Sequence, residues 1–229
     1  MQPKWELSYS MRRFFVDEFF LRQVETWSQN AQVLDLGGHR QTKRGRFDID
    51  AYGFRVVTAN IATEKGTTVQ ADACYVPFGN NFFDVVVCAE LLEHVFQPQV
   101  VLLEAYRVLR PGGTLLTTAP FLYRVHGDPF DYGRYTAHYW RTALSGIGFT
   151  EITIENQGLF YSVLLDFWKQ YWNNKRFPRL TGRFGRWLVG SLLVFPWQRW
   201  ALWRERQPRV RENAFLSSFT TGYGITAVK

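Results

Sequence analysis

Cysteine is scarce in this 229-residue chain: Cys74 and Cys88 are the only two, and both sit in apolar surroundings. Two lone thiols of that kind exclude a disulfide framework and a cysteine-based metal site. They fit small core residues in a reducing compartment, and no metal is expected. Long apolar runs are missing as well. The longest uncharged stretch in the most hydrophobic region, Trp187–Gln198, is interrupted by Pro196. It falls well short of the ~20 apolar residues that a membrane-crossing helix needs. The first residues, M-Q-P-K-W-E-L-S-Y-S-M-R-R, scatter charge where a secretory signal would need an apolar core. A cytoplasmic location is therefore expected. Most of the chain also lacks net charge. Of the 27 Lys/Arg and 20 Asp/Glu behind the formal +7, Gly158–Glu212 holds 11 basic and 3 acidic residues, with six of the nine Trp. The basic balance describes that segment and leaves the remainder close to neutral.

What is present is aromatic and periodic. Aromatic residues make up 17% of the chain, which excludes disorder for most of it. Phe15, Val16, Phe19, Phe20 and Val24 recur at helical spacing between about Ser10 and Trp27. A-Q-V-L-D-L-G-G reads as a strand running into a turn, and F-R-V-V-T-A-N-I (54–61) as a second strand rich in β-branched residues. V-Q-A-D-A (69–73) is a short third. F-D-V-V-V-C-A-E (83–90) is continuously apolar, as a strand buried on both faces should be. Residues 98–109 read as a helix that opens on Pro98, with R-P-G-G (110–113) as its stop and turn. T-L-L-T-T-A-P (114–120) is a fifth strand. Thr136 can cap a helix running to about Ser145, F-T-E-I-T-I-E (149–155) is a sixth strand, and the last residues read as a seventh.

Strands that alternate with helices imply an α/β fold with a doubly wound parallel sheet. Ligands of such sheets sit beyond the carboxyl ends of the strands. Gly37, Gly38, His39, Asn60, Asp72 and Glu90 each end a strand or lie just past one, so they should face a common crevice. Each also has a plainer reading: Asp72 could cap a turn, and Glu90 could sit on a solvated edge.

Together the motifs V-L-D-L-G-G, A-D-A-x-x-x-P-F, N-N-F-F-D-V-V-V, E-L-L-E-H-V and Y-R-V-L-R-P-G-G-T-L resemble the class I S-adenosylmethionine-dependent methyltransferases of the type 11 kind. The likeness runs from about Ala31 to Glu155 and includes the final strand. It implies a seven-stranded, mostly parallel Rossmann-like sheet with an antiparallel last strand. The expected organisation is a cap helix in 1–30, a cofactor-binding domain in 31–157 plus 213–229, and an aromatic, basic helical insertion in 158–212. The implied cofactor is S-adenosyl-L-methionine. Asp35, Gly37 and Gly38 would form its turn, Asn60 would meet the ribose, Asp72 the adenine amino group, Ala73 and Cys74 the ring, and Glu90 would complete the crevice.

Two departures from the family pattern stand out. The family usually has an acid at the position of Asn60. An amide lacks the charge-assisted bond, so weaker cofactor binding is expected. The glycines are adjacent instead of alternating, and His39 follows them. The run K-R-G-R-F-D then brings Lys43, Arg44 and Arg46 either to a solvated loop or around an anion.

P-F-L-Y-R-V-H-G-D-P-F-D-Y-G-R-Y-T (120–136) follows the fifth strand and is dense in polar and aromatic residues. Loops of that composition carry function more often than they merely connect. His126 is the candidate general base, supported by Asp128 or Asp131. Pinning of the loop is the competing account, and His94 is a rival to which packing is the more natural role. The loop is similar to that of a methyltransferase subgroup found in cell-surface glycan pathways. No Asn/Asp-Pro-Pro-aromatic motif ends the fourth strand, which argues against methylation of nucleic-acid bases, and no nucleic-acid partner is expected.

Leu159, Phe160, Val163, Leu164, Phe167, Trp168 and Tyr171 form one apolar helical stripe. With the stretch 184–204, it suits peripheral contact with the inner membrane face, or else packing on the domain or on a second copy as a homodimer. The leading expectation is O-methylation of a glycan, sugar-nucleotide or lipid-linked acceptor at the membrane face. Methylation of a small lipophilic molecule such as a quinone is the alternative, and a non-catalytic interaction module on the same fold is a third.

Overall fold

The computed structural model describes residues 9–40, 45–62, 66–173 and 194–229. The described residues fall into two compact units: one takes the chain up to Phe15 together with Asn156–Gly222, the other Val16–Glu155 together with Tyr223–Lys229. This differs from the expected organisation. The insertion reaches further at its C-terminal end, and the N-terminal helix α1 (Met11–Gln23) gives its first residues to one unit and the rest to the other.

The larger unit is built on a seven-stranded sheet. Its strands are β1 (Gln32–Leu36), β2 (Arg55–Asn60), β3 (Val69–Gln70), β4 (Phe83–Ala89), β5 (Leu109–Pro120), β6 (Thr150–Asn156) and β7 (Gly222–Val228), in the order β3-β2-β1-β4-β5-β7-β6. The first five run parallel. Strand β7 runs against its neighbours: its end bonds the start of β5 through Gly112 N–H to the Lys229 carbonyl (2.9 Å) and Lys229 N–H to the Gly113 carbonyl (3.0 Å).

Period-two alternation divides the core between the two faces. Leu34, Leu36, Val86, Cys88 and Leu115 pack with Val101, Leu102, Ala105 and Val108 of α2 (Pro98–Val108) and with Trp140 and Leu144 of α3 (Ala137–Ile147). Val33, Val85, Val87 and Leu116 pack on the other face with Val16, Phe19 and Phe20 of α1. Thr136 caps α3 by accepting from the Tyr139 N–H at 3.3 Å. R-P-G-G, expected as a turn, is drawn into β5. The ladder registers Phe83 against Leu109, shifts between Phe83 and Val85, and absorbs the surplus residues as an irregularity.

The smaller unit holds α4 (Phe160–Asn173) packed on α5 (Phe195–Glu205). The stripe, expected either to face a membrane or to pack, is exposed in part. Leu164, Phe167 and Tyr171 are exposed, while Ser162, Asp166 and Lys169 are buried beside Val163 and Leu165. The inversion is tolerated because each buried polar group is bonded. Asp166 accepts from Met11 N–H (2.6 Å) and from the Gln170 amide (2.7 Å), and Lys169 donates to the Tyr9 carbonyl (2.5 Å). The first part of the hydrophobic stretch 184–204 lies outside the described residues, which resume at Val194.

Candidate active site

Because β1, β2, β4 and β5 are parallel, their carboxyl ends share one edge of the sheet, and every residue singled out from Asp35 to Arg134 belongs to that edge or to a loop leaving it. The turn after β1 is fixed from three sides. Gly37 N–H donates to the Ala59 carbonyl (2.8 Å), and its φ of 77° is left-handed. A Cβ there would come within 2.8 Å of Leu91 Cδ1. A Cβ on Gly38 would collide with the Asp35 carboxylate, which folds back over it. The adjacent pair is therefore demanded by two separate constraints, one conformational and one of space.

Asn60 holds the third side, in a way the sequence did not disclose. Its amide donates to the carbonyls of Gly37 (2.7 Å) and Gly38 (3.2 Å), and its Oδ1 accepts from Ala62 N–H (3.0 Å). Both amide protons are thus spent on shaping the turn, which only an amide at this position can do.

Asp72 is exposed, and its Oδ1 accepts from Cys74 N–H (2.9 Å). Burial first, and the Asp72 charge second, push the Cys74 thiol up to about 11, so it stays protonated. Glu90 sits at φ 52°, an unfavourable region for a residue with a Cβ, just where β4 ends. Arg46 does not face an open loop: its N–H donates to Asp17 (2.7 Å) and its guanidinium pairs with Glu18 (3.1 Å). Lys43 and Arg44 lie outside the described residues.

The loop after β5 folds onto the turn after β4. Arg134 makes a two-pronged pair with Asp131 at 2.5 and 2.8 Å. That pair holds the Asp131 carboxyl well below the usual carboxylate range. Asp131 also accepts from His126 N–H (2.7 Å) and stands 3.4 Å from His126 Nδ1. The polar contacts of His126 go to Asp131, Arg124, Arg134 and Glu93. Asp128, the other candidate support, is exposed. The His94 and His126 rings meet edge-on with centroids 4.8 Å apart. Burial, and then the His94 charge, hold His126 below the ordinary histidine range, with Asp131 pulling the other way. Its neutral imidazole can accept a proton.

Glu93 had no role from sequence, yet its side chain is 1% exposed, and Oε1 lies 3.7 Å from His94 Nε2 and 3.8 Å from His126 Nε2. The signal that could have found it was the Glu-His pair placed directly after the β4 terminus, opposite a loop with its own histidine. His94, expected to pack, belongs to this cluster.

Residues 32–117 match the family model described as a methyltransferase domain. The demethylmenaquinone methyltransferase of Mycobacterium tuberculosis is 39% identical over 122 residues, covering 49% of this chain and 52% of that protein. The chain spans about a fifth to about half of the length of the curated relatives it matches. Among solved structures, an S-adenosylmethionine-dependent methyltransferase of Archaeoglobus fulgidus superposes with a TM-score of 0.58 at 15% identity, covering 95% of this chain and 94% of that one. The phosphoethanolamine N-methyltransferase 2 of Haemonchus contortus, solved with S-adenosyl-L-methionine, gives a TM-score of 0.55 at 18% identity over 93% of this chain and 52% of that one.

The strand order, the antiparallel β7 and these matches place the chain among proteins with the class I methyltransferase fold. Residues 32–117 are similar to the methyltransferase domain of that family model, the part of the sheet from β1 into β5. The turn has one polar atom to offer S-adenosyl-L-methionine, His39 Nδ1, which is buried with no hydrogen-bond partner among the described residues.

Proposed function

We propose that this chain methylates a hydroxyl of a polar acceptor, in the class of glycans, sugar-nucleotides or lipid-linked sugars, at the cytoplasmic face of a membrane. The observation that carries the reading is the cluster of Glu93, His94, His126, Asp131 and Arg134 at the carboxyl edge of the sheet. Bound S-adenosyl-L-methionine supplies a methyl group already activated by its sulfonium. The chain's own residues have two tasks. The turn of Asp35, Gly37, Gly38 and Asn60 positions the cofactor, with Asp72, Ala73, Cys74 and Glu90 along the crevice. In-line placement of this kind is worth several kcal/mol of barrier. His126, oriented by Asp131 and Arg134, takes the acceptor's proton at Nε2, an effect worth roughly 10²–10⁴-fold.

A membrane-facing acceptor is supported by the exposed Leu164, Phe167 and Tyr171 of α4 and Trp200 and Trp203 of α5, in a segment rich in arginine. No helix among the described residues is long and apolar enough to cross a membrane. The second reading is a quinone acceptor, favoured by the identity to the mycobacterial demethylmenaquinone methyltransferase.

The test is transfer of an isotopically labelled methyl group to nucleotide-sugars and lipid-linked sugars on one side and to demethylmenaquinol on the other, read by mass spectrometry. Labelled sugar product supports the first reading, and labelled quinol alone replaces it with the second. Calorimetry that finds no cofactor binding at millimolar concentration would end both and leave a non-catalytic module. Sedimentation with anionic vesicles at low and high salt tests the location: no association removes the membrane from the reading and leaves a homodimer or internal packing.

A further inference from the structure

His94 Nδ1 lies 2.5 Å from the Phe130 carbonyl, which can only accept. Nδ1 therefore carries the proton, and Nε2 presents a lone pair. His126 Nδ1 faces two acceptors, the Arg124 carbonyl at 3.3 Å and Asp131 at 3.4 Å, and one donor, Arg134 Nη2 at 3.4 Å. That donor is already engaged by Asp131 at 2.8 Å and by the Arg124 carbonyl at 3.1 Å. In the tautomer that points its Nδ1 proton at the Arg124 carbonyl and Asp131, His126 Nε2 is the second lone pair. Both converge on a buried carboxylate oxygen, Glu93 Oε1, and the three atoms lie within 4.8 Å of one another. A carboxylate oxygen and two imidazole lone pairs that converge in this way make a site that attracts a cation.

We propose that Glu93, His94 and His126 bind one divalent transition-metal ion of the zinc class through Oε1 and the two Nε2 atoms. Two imidazoles and a carboxylate are a donor set suited to such ions. Ligands of one tetrahedral zinc stand about 3.3–3.4 Å apart, so the 3.7 and 3.8 Å from Glu93 need a small contraction, and the two imidazoles, within 4.8 Å of each other, must draw together further as the ion binds. Each imidazole has an acceptor behind its Nδ1, the Phe130 carbonyl for His94 and Asp131 for His126. That arrangement orients metal-binding histidines and strengthens their lone pairs. The side chains of His94 and His126 are 26% and 25% exposed, so solvent reaches the pair, and water or the acceptor would complete the ion's coordination. The ion would hold the acceptor's oxygen there. The O–H bond breaks with its electron pair left on oxygen, and the proton passes to water.

This inference rests on the cluster being the acceptor end of the site, and it makes His126 a ligand where the preceding reading makes it the base. It also differs from the expectation drawn from the cysteines, because the donors come from the turn after β4 and the loop after β5.

The tag-free chain, stripped with chelator and dialysed, is titrated with Zn²⁺ by calorimetry and with Co²⁺ by visible absorption. One ion per chain is expected, with tetrahedral Co²⁺ bands. Glu93→Gln and His94→Asn should each weaken binding by roughly tenfold or more, with the melting temperature of the metal-free protein as the folding control. If Glu93→Gln fails to fold, the partly exposed His94→Asn carries the test. Absence of stoichiometric binding, or equal binding in the folded variants, overturns the metal site. A chain that binds no ion but needs His126 for methyl transfer keeps the base and loses the metal. A chain that binds the ion and methylates no acceptor keeps the metal site and loses the proposed function.

Discussion

Both units bury ionisable side chains, and they use them differently. In the smaller unit, Glu205 is 6% exposed and accepts from Leu159 N–H (3.0 Å), Ser162 N–H (2.6 Å) and the Ser162 hydroxyl (2.7 Å). It caps the start of α4, where backbone donors have no partner within the helix. Asp166 does the same for the start of α1. In the larger unit, Glu93 Oε1 stands 3.7 and 3.8 Å from two imidazole nitrogens, beyond normal hydrogen-bond length. Glu205 and Asp166 are closed off by short bonds to backbone donors, whereas Glu93 is gathered with two imidazoles able to exchange a proton or bind a ligand.

The sharpest way to break this contrast is His126→Ala. Methyl transfer should fall by roughly 10²–10⁴-fold, with cofactor affinity unchanged in calorimetry; unchanged turnover would reduce the loop cluster to a structural pin. Glu205→Ala should act in the opposite sense. Two backbone donors and a hydroxyl lose their acceptor, so the protein should lose about 1–3 kcal/mol of stability in denaturant titration. Turnover of the folded fraction should stay as it was, and a selective loss of turnover would show that the smaller unit takes part in catalysis.

Gly38→Ala forces the Asp35 carboxylate to move and should weaken cofactor binding by roughly tenfold. Wild-type affinity would mean that the turn does not cradle the cofactor. The smallest effect is expected for Asn60→Asp, which restores the acid usual in the family yet removes two donors from the turn. Cofactor affinity should drop a few-fold, in line with about 0.5–1.5 kcal/mol for the bonds lost. A rise would return position 60 to the ribose.

Much of the fold was legible. The continuous apolar run of β4 and the alternation in β1 and β2 are local consequences of burial, and they carried the sheet. R-P-G-G did not read correctly, because only the β7 terminus bonded across Gly112 and Gly113 turns that stretch into strand. The α4 stripe was legible as an apolar face, while the polar residues that share the buried side were not. Hydrophobic spacing marks an amphipathic helix, but whether Asp166 and Lys169 can be buried depends on Met11, Tyr9 and Gln198. At the site, the glycine pair, His126 and Asp131 were visible as residue types in suggestive places. Glu93, and the bonds of Asn60 to the glycine turn, were not.

The sequence by itself determined the order of strands and helices, the cofactor turn and the uneven distribution of charge, since each follows from local periodicity or composition. Only the tertiary structure decided that Asn60 spends its amide on the glycine turn and that Asp131, and not Asp128, backs His126. It alone brought Glu93 and His94 to His126, because that meeting depends on two separate loops leaving neighbouring parallel strands at the same edge. Contacts of that kind are set by the pairing of β4 with β5, which no local pattern of residues encodes.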